Sequence, residues 1–337
     1  MKQYMVNNRD YKIDIVRALC ALEIIAFWHM MDYLPEKYAL TGQALHLAKL
    51  LTNTALATFA FISGFCLSKY TFTKSGDVWH FYKKRLIRFY PLLLFSALSL
   101  LVAGYVFHHP WFTSTSQFVT TITGLNVFIP PLAMTLWYFS MIMFFYIITP
   151  LVLSRGSILA KLLIALSLLA IVFVVDLLFL DVDNVFYLYY PFYALGLILP
   201  SSSLEFIYRR KYLFLPISVA LFTATVLITS DKSDYFMGGG IYVAMISGLV
   251  MLFAVATVIN SLSKGLTKCS FFWISFSSMV AYLFHRQIYF VIIYAIGDSN
   301  QELSIVKALF VAVPIIFAVS FLVQKAYDFL IEKCKLK

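Results

Sequence analysis

Long apolar runs recur along the whole chain, and the charged residues are concentrated in the short segments between them. A helix needs about 20 mostly apolar residues to cross a hydrocarbon core of about 30 Å, at 1.5 Å per residue. Candidate runs fall near 13–31, 47–68, 89–107, 133–153, 160–180, 185–200, 212–229, 239–259, 271–296 and 304–327. Lipid offers no hydrogen bonds to the backbone, so repeated runs of this kind fold as helices. The expected fold is all-α: a polytopic membrane helical bundle of about ten transmembrane helices, treated as a single domain over 1–337. Composition excludes the soluble alternative. Hydrophobic residues make up 62% and charged residues 12%, where a soluble domain has roughly 45–50% and about 25%; the mean hydropathy is +0.86.

The formal charge of +10 resembles a nucleic-acid footprint only until the basic residues are placed. With the N-terminus in the cytoplasm, most of the 26 Lys and Arg fall on inner segments, the asymmetry that orients membrane proteins. Lys69 to Arg88, Arg209-Arg210-Lys211, and a tail with Lys333, Lys335 and Lys337 lie inside; Asp181, Asp183, Asp231, Asp234, Asp298 and Glu302 lie outside. Both termini are then cytoplasmic, the lipid bilayer is the first partner, and no nucleic acid is expected. The run at 13–31 contains Glu23 and lacks a clear small-residue cleavage site, so it reads as a retained span. The run with Pro191 and Gly196 is the shortest. The loop 108–132 is uncharged and rich in Thr, Ser and Pro, a composition that suits a lid or re-entrant segment. Cys20, Cys66, Cys269 and Cys334 show no ligand spacing, so neither a disulfide framework nor a metal is expected.

Ionisable residues inside spans are functional candidates because the membrane makes them costly. At 100° per residue, Asp14, Arg17, His29 and Asp32 share an arc of about 120° on one face of the first span. Glu23 lies opposite and suits pairing with another helix. In the ninth span, "SSMVAYLFHRQIY" carries His285 and Arg286. Counted from the inner ends, His29 at about sixteen residues and His285 at about fourteen reach the same depth. Equal depth does not require adjacency, and helix-to-helix hydrogen bonding is the simpler role for either ring. Arg85 and Arg88, one turn apart in "FYKKRLIRFYPLL", suit either a positive-inside anchor or a forked clamp for phosphate oxygens.

Five segments in order resemble the acyltransferase-3 family of integral-membrane acyltransferases. "YKIDIVRALCALEIIAFWHMM" is similar to its first span through Asp14, Arg17 and His29. "FAFISGFCLSKY" resembles its Ser-Gly-Phe segment through Ser63, Gly64 and Phe65, and "KKRLIRFYPLL" its Arg-x-x-Arg-x-Tyr-Pro motif through Arg85, Arg88, Tyr90 and Pro91. "LWYFSMIMFFYIITPL" resembles a Trp-x-x-Ser segment through Trp137 and Ser140, and "AYLFHRQIY" a Tyr-Leu-x-His motif through Tyr282, Leu283 and His285. Two departures stand out. The interval from Arg17 to His29 is one residue longer than the family pattern, and Ile142 and Met143 occupy positions where paired Glu are common.

The resemblance implies a multi-pass inner-membrane transferase. It would move an acyl group, most often acetyl from acetyl-CoA, to a sugar hydroxyl of a surface polysaccharide or lipid-linked saccharide. Arg85, Arg88 and Arg17 would meet the CoA phosphates. His29 would take the hydroxyl proton, since imidazole exchanges protons near neutral pH, or carry the acyl group itself; Asp32 would orient its ring. Ser63, Trp137, Tyr282, His285 and Arg286 are the candidate substrate-binding residues, any of several serving the developing oxyanion. Helix packing and interfacial anchoring are the simpler readings of Ser63-Gly64 and Trp137. The aromatic richness reads first as lipid-facing mass; Tyr187, Tyr189, Tyr190 and Tyr193, clustered near an outer end, offer a saccharide a stacking surface as the second reading. The competing readings are a transporter or flippase for a lipid-linked saccharide, against which no internal repeat is visible, and a non-catalytic envelope partner.

Overall fold

The computed structural model describes residues 10–108, 111–154, 156–229, 238–262, 266–296 and 302–334. Asp231, Asp234, Asp298, Lys335 and Lys337 lie outside them, as do the side chains of Cys269 and Glu302. The described residues are helical, with no strand. Seven helices are long and apolar enough to cross a bilayer: Gly42–Leu67, Ser75–Val106, Ile158–Leu178, Lys211–Thr229, Gly239–Leu262, Ser270–Ala295 and Ser304–Lys333. The other three expected spans are also helical, but shorter or interrupted. Trp137–Leu153 has 17 residues and Asn184–Ile198 has 15. The first divides into α1 (Tyr11–Ala21), a π-helical segment (Leu22–Trp28) and α2 (His29–Met31).

The remaining helices are α3 (Gly42–Leu67), α4 (Ser75–Val106), α5 (Thr115–Thr123), α6 (Trp137–Leu153), α7 (Ile158–Leu178), α8 (Asn184–Ile198), α9 (Ser201–Arg209), α10 (Lys211–Thr229), α11 (Gly239–Leu262), α12 (Leu266–Ile296) and α13 (Glu302–Lys333). They fall into two compact units, Met1–Phe59 with Ser201–Lys325, and Ala60–Pro200 with Ala326–Lys337. The boundary falls inside α3 and α13.

In the first unit α1 packs on both α11 and α12, and α10 packs along α11. Gly248 of α11 permits close approach to α3: a Cβ there would lie 2.5 Å from Thr54 Cγ2. Glu23 has the structural setting expected of it, accepting a hydrogen bond from Thr52 Oγ1 of α3 at 2.8 Å. α1 is capped by Asp10, whose carboxylate accepts from the Lys12 N–H at 3.0 Å, relieving one of the orphan donors of a helix start.

In the second unit α6, α7 and α8 pack pairwise, with α4 against α6. Two glycines make one crossing possible. A Cβ on Gly64 would lie 2.2 Å from Tyr193 O, and one on Gly196 would lie 2.2 Å from Phe61 O; only hydrogen fits where backbones meet this closely. The uncharged loop is not extended: it forms α5, stopped by Gly124 at φ +79°, a left-handed turn natural to glycine. Gln117 Nε2 donates to Leu132 O at 2.8 Å, and Asn126 Oδ1 accepts from Ala133 N at 2.8 Å. These buried amides supply the hydrogen bonds that an irregular segment lacks internally. Outside these contacts α7 shows lipid-suited surface, with Leu163, Ile171, Phe173 and Leu177 all exposed.

Candidate functional site

The π segment governs the local geometry of His29. The His29 N–H reaches Ile24 O, five residues back, so the Ile25 carbonyl does not receive the bond it would accept in a regular α-helix. The Tyr289 hydroxyl of α12 donates to Ile25 O at 2.8 Å instead. At 100° per residue, twelve residues alone would set Arg17 and His29 about 120° apart. A π turn holds one residue more than an α turn and takes back about 100° of that. The two positions are thereby brought to within about 20° of each other around the helix axis.

The face toward α12 is documented at both ends. Ser275 Oγ donates to Asp14 Oδ1 at 2.8 Å, and Arg286 Nη2 donates to Asp32 Oδ2 at 2.7 Å. Sequence rises in the same direction along both helices, so α1 and α12 run parallel. Between these anchors the imidazoles of His29 and His285 stack, with ring centroids 4.6 Å apart and planes 12° from parallel. The equal depth expected of the two histidines therefore becomes direct contact. Tyr282 meets His29 edge-on at 6.0 Å.

Hydrogen bonding fixes one ring's tautomer. His285 Nδ1 lies 2.8 Å from Tyr282 O and 3.1 Å from Ala281 O. Carbonyl oxygens only accept, so Nδ1 carries the hydrogen and Nε2 offers a lone pair. Nε2 is buried without a hydrogen-bond partner among the described residues, as are His29 Nδ1 and Arg286 Nε. His29, His285 and Arg286 are 7%, 0% and 6% exposed. Buried polar atoms normally find partners, and each exception calls for a reason. Asp32, expected to hold the His29 ring, is ion-paired with Arg286 and makes no hydrogen bond to His29; its carboxylate is partly exposed. Arg17 is half-buried on α1.

The other expected residues lie in the second unit. Arg85, half-buried on α4, donates to the Tyr70 hydroxyl at 3.3 Å, and its guanidinium lies 5.8, 5.5 and 5.6 Å from the ring centroids of Tyr70, Phe81 and Tyr146. Arg88 is exposed, and α4 begins well before the expected span, so both arginines sit within a helix. Ser63 is half-buried beside the Gly64 crossing. Trp137 stacks on Tyr189 at 5.8 Å, and Ser140 Oγ donates to Thr121 O at 3.1 Å. The tyrosine cluster differs from the expected saccharide platform. Tyr189, Tyr190 and Tyr193 are at most 2% exposed. Tyr190 donates to Ala165 O, Tyr187 to Asp176 Oδ2, and Tyr193 bonds Thr149. Phe186 and Phe145 cover the Tyr190 and Tyr193 rings. These tyrosines hold helices together.

Ser275, Tyr289, and Tyr70 and Phe81 beside Arg85 escaped the sequence reading. The α12 residues were within reach of it, because Ser275, Tyr282, Arg286 and Tyr289 recur at helical spacing on one face. No curated protein and no solved structure matches the chain. A family model described as an acyltransferase domain matches residues 10–324, a range that includes the stacked histidines, the Asp32–Arg286 pair and the caged Arg85. With membrane-length helices and nearly the whole length matched, the chain belongs to the acyltransferase-3 family of membrane acyltransferases.

Proposed function

We propose that this acyltransferase is a multi-pass inner-membrane O-acetyltransferase, with about ten crossings and cytoplasmic termini, moving acetyl from cytosolic acetyl-CoA to a sugar hydroxyl of an envelope or exported polysaccharide. One observation carries the reading. Two imidazoles are stacked inside membrane helices, each with a buried nitrogen that has no hydrogen-bond partner among the described residues. A group kept in that condition at membrane depth is suited to chemistry rather than to packing.

In this mechanism the acceptor hydroxyl attacks the thioester carbonyl while His29 takes its proton, then returns that proton to the departing thiolate. His285, locked as its Nδ1–H tautomer, presents Nε2 as an acceptor that helps to seat the hydroxyl. Asp32 acts through Arg286, to which it is ion-paired. Arg85 and Arg88 are assigned to the donor's phosphates by forked charge-assisted hydrogen bonds, and Arg17 of the first unit is assigned to the donor as well. Tyr282 is assigned to the acceptor side of the histidines, and Ser63 and Trp137 to substrate contacts of the second unit.

The test is transfer of label from acetyl-CoA to extracted envelope glycans by membranes holding wild type or His29→Ala at equal protein level. Loss of transfer in the variant supports the reading. Equal transfer in both removes His29 from the chemistry, and no transfer by wild type overturns the proposed donor and acceptor.

A further inference from the structure

We infer that Arg286 is the oxyanion-stabilising residue, its Nε–H receiving the negative charge that develops on the thioester carbonyl oxygen. The inference rests on the acyl-transfer reading above and adds to it a group that the sequence left undecided. The guanidinium is buried and close enough to act electrostatically on both stacked imidazoles, His29 and His285. Asp32 fixes one end of it, and Tyr33 packs beside it, its ring centroid 6.0 Å from the guanidinium carbon. Nη2 is fixed by Asp32 Oδ2 at 2.7 Å, whereas Nε–H is buried without a partner among the described residues.

The unsatisfied atoms of the cluster are complementary to the reacting groups. His285 Nε2 can only accept and therefore suits a hydroxyl hydrogen; Arg286 Nε can only donate and therefore suits an oxygen that gains charge. A donor fixed in advance and shielded from water stabilises a developing oxyanion without having to reorganise. The Asp32 carboxylate supplies the fixing, because a planar guanidinium clamped at one nitrogen has its other N–H directions determined.

The step balances. The acceptor oxygen forms a bond to the carbonyl carbon, and the C=O π pair moves onto oxygen, facing Arg286 Nε–H. His29 takes the hydroxyl proton. The pair then returns, the C–S bond breaks, and the thiolate leaves with the proton from His29. The products are an ester and a free thiol, with no oxidant or reductant consumed.

Arg286→Lys keeps the charge and an ion pair with Asp32, but one ammonium nitrogen cannot hold the carboxylate and reach the oxyanion from a second, rigidly placed nitrogen. Full-length protein in membranes, supplied with labelled acetyl-CoA and envelope glycan, is expected to lose about 100-fold in kcat per folded molecule in Arg286→Lys and more in Arg286→Gln. KM for acetyl-CoA should stay within about twofold, because the interaction is made only in the transition state. Asp32→Asn should lose about tenfold by loosening the clamp. Folded amount is read from monodisperse elution in detergent; if Arg286→Gln fails there, Arg286→Lys decides. Wild-type kcat in Arg286→Lys, or a raised KM with kcat unchanged, overturns the inference while transfer that still requires His29 leaves the acyl-transfer reading standing. Absence of transfer by wild type overturns both.

Discussion

Arg286 and Arg85 are held in opposite ways. Arg286 is ion-paired with Asp32 and lies within electrostatic reach of the two stacked imidazoles. Arg85 sits among the rings of Tyr70, Phe81 and Tyr146, and no carboxylate among the described residues pairs with it. A carboxylate neutralises a guanidinium and fixes its plane; aromatic faces stabilise it while leaving its net charge available. The first arrangement suits geometry and the second suits attraction of an anion. On the proposed reading, turnover belongs with Arg286 and donor capture with Arg85.

Variants that separate these roles range from large effects to small. His29→Ala should lower kcat by about 1,000-fold, within the range for loss of a positioned general base, with transfer of label as the readout. Deleting Ala18 from α1 should be nearly as damaging, since it turns the preceding helix by about 100° relative to His29. Deleting Ala26 from the π segment should cost about tenfold or less, because a π turn that loses one residue relaxes to an α turn with its flanks in register. Arg85→Gln should raise KM for the donor by about 10- to 100-fold, the value of one or two charge-assisted hydrogen bonds, and leave kcat nearly unchanged. A Cβ and branch at Gly64→Val should destabilise the fold by about 1–3 kcal/mol through overpacking against Tyr193 O. Its thermal midpoint in detergent should fall while activity per folded molecule holds. Tyr289→Phe should be mildest, losing about 1 kcal/mol with the hydrogen bond to Ile25 O.

The helical class was legible because apolar runs of membrane length admit no other fold, and the observed helices follow those runs. Their ends were less legible. α4 starts at Ser75 because a basic amphipathic stretch continues the helix beyond the apolar run, with Asp77 accepting from Thr73 and Lys74 N–H at its start. The face of the first span was readable from the spacing of Asp14, His29 and Asp32, but the π segment was visible only as one surplus residue in a familiar interval. Depth could be counted along each helix, whereas the contact of His29 with His285 depends on which helices pack together. That choice is set by many small contacts such as Ser275 with Asp14. The tyrosines misled for a related reason: a ring that suits a sugar suits a helix interface equally well, and composition does not say which it meets.

The division of labour between the two arginine environments is most directly tested by steady-state kinetics of His29→Gln and Arg85→Gln on one membrane preparation, with acetyl-CoA varied at fixed glycan. The account predicts that the histidine variant loses kcat with an unchanged KM for the donor, and that the arginine variant raises that KM with nearly unchanged kcat. A histidine variant that turns over at the wild-type rate, or an arginine variant that loses kcat at unchanged KM, would contradict it.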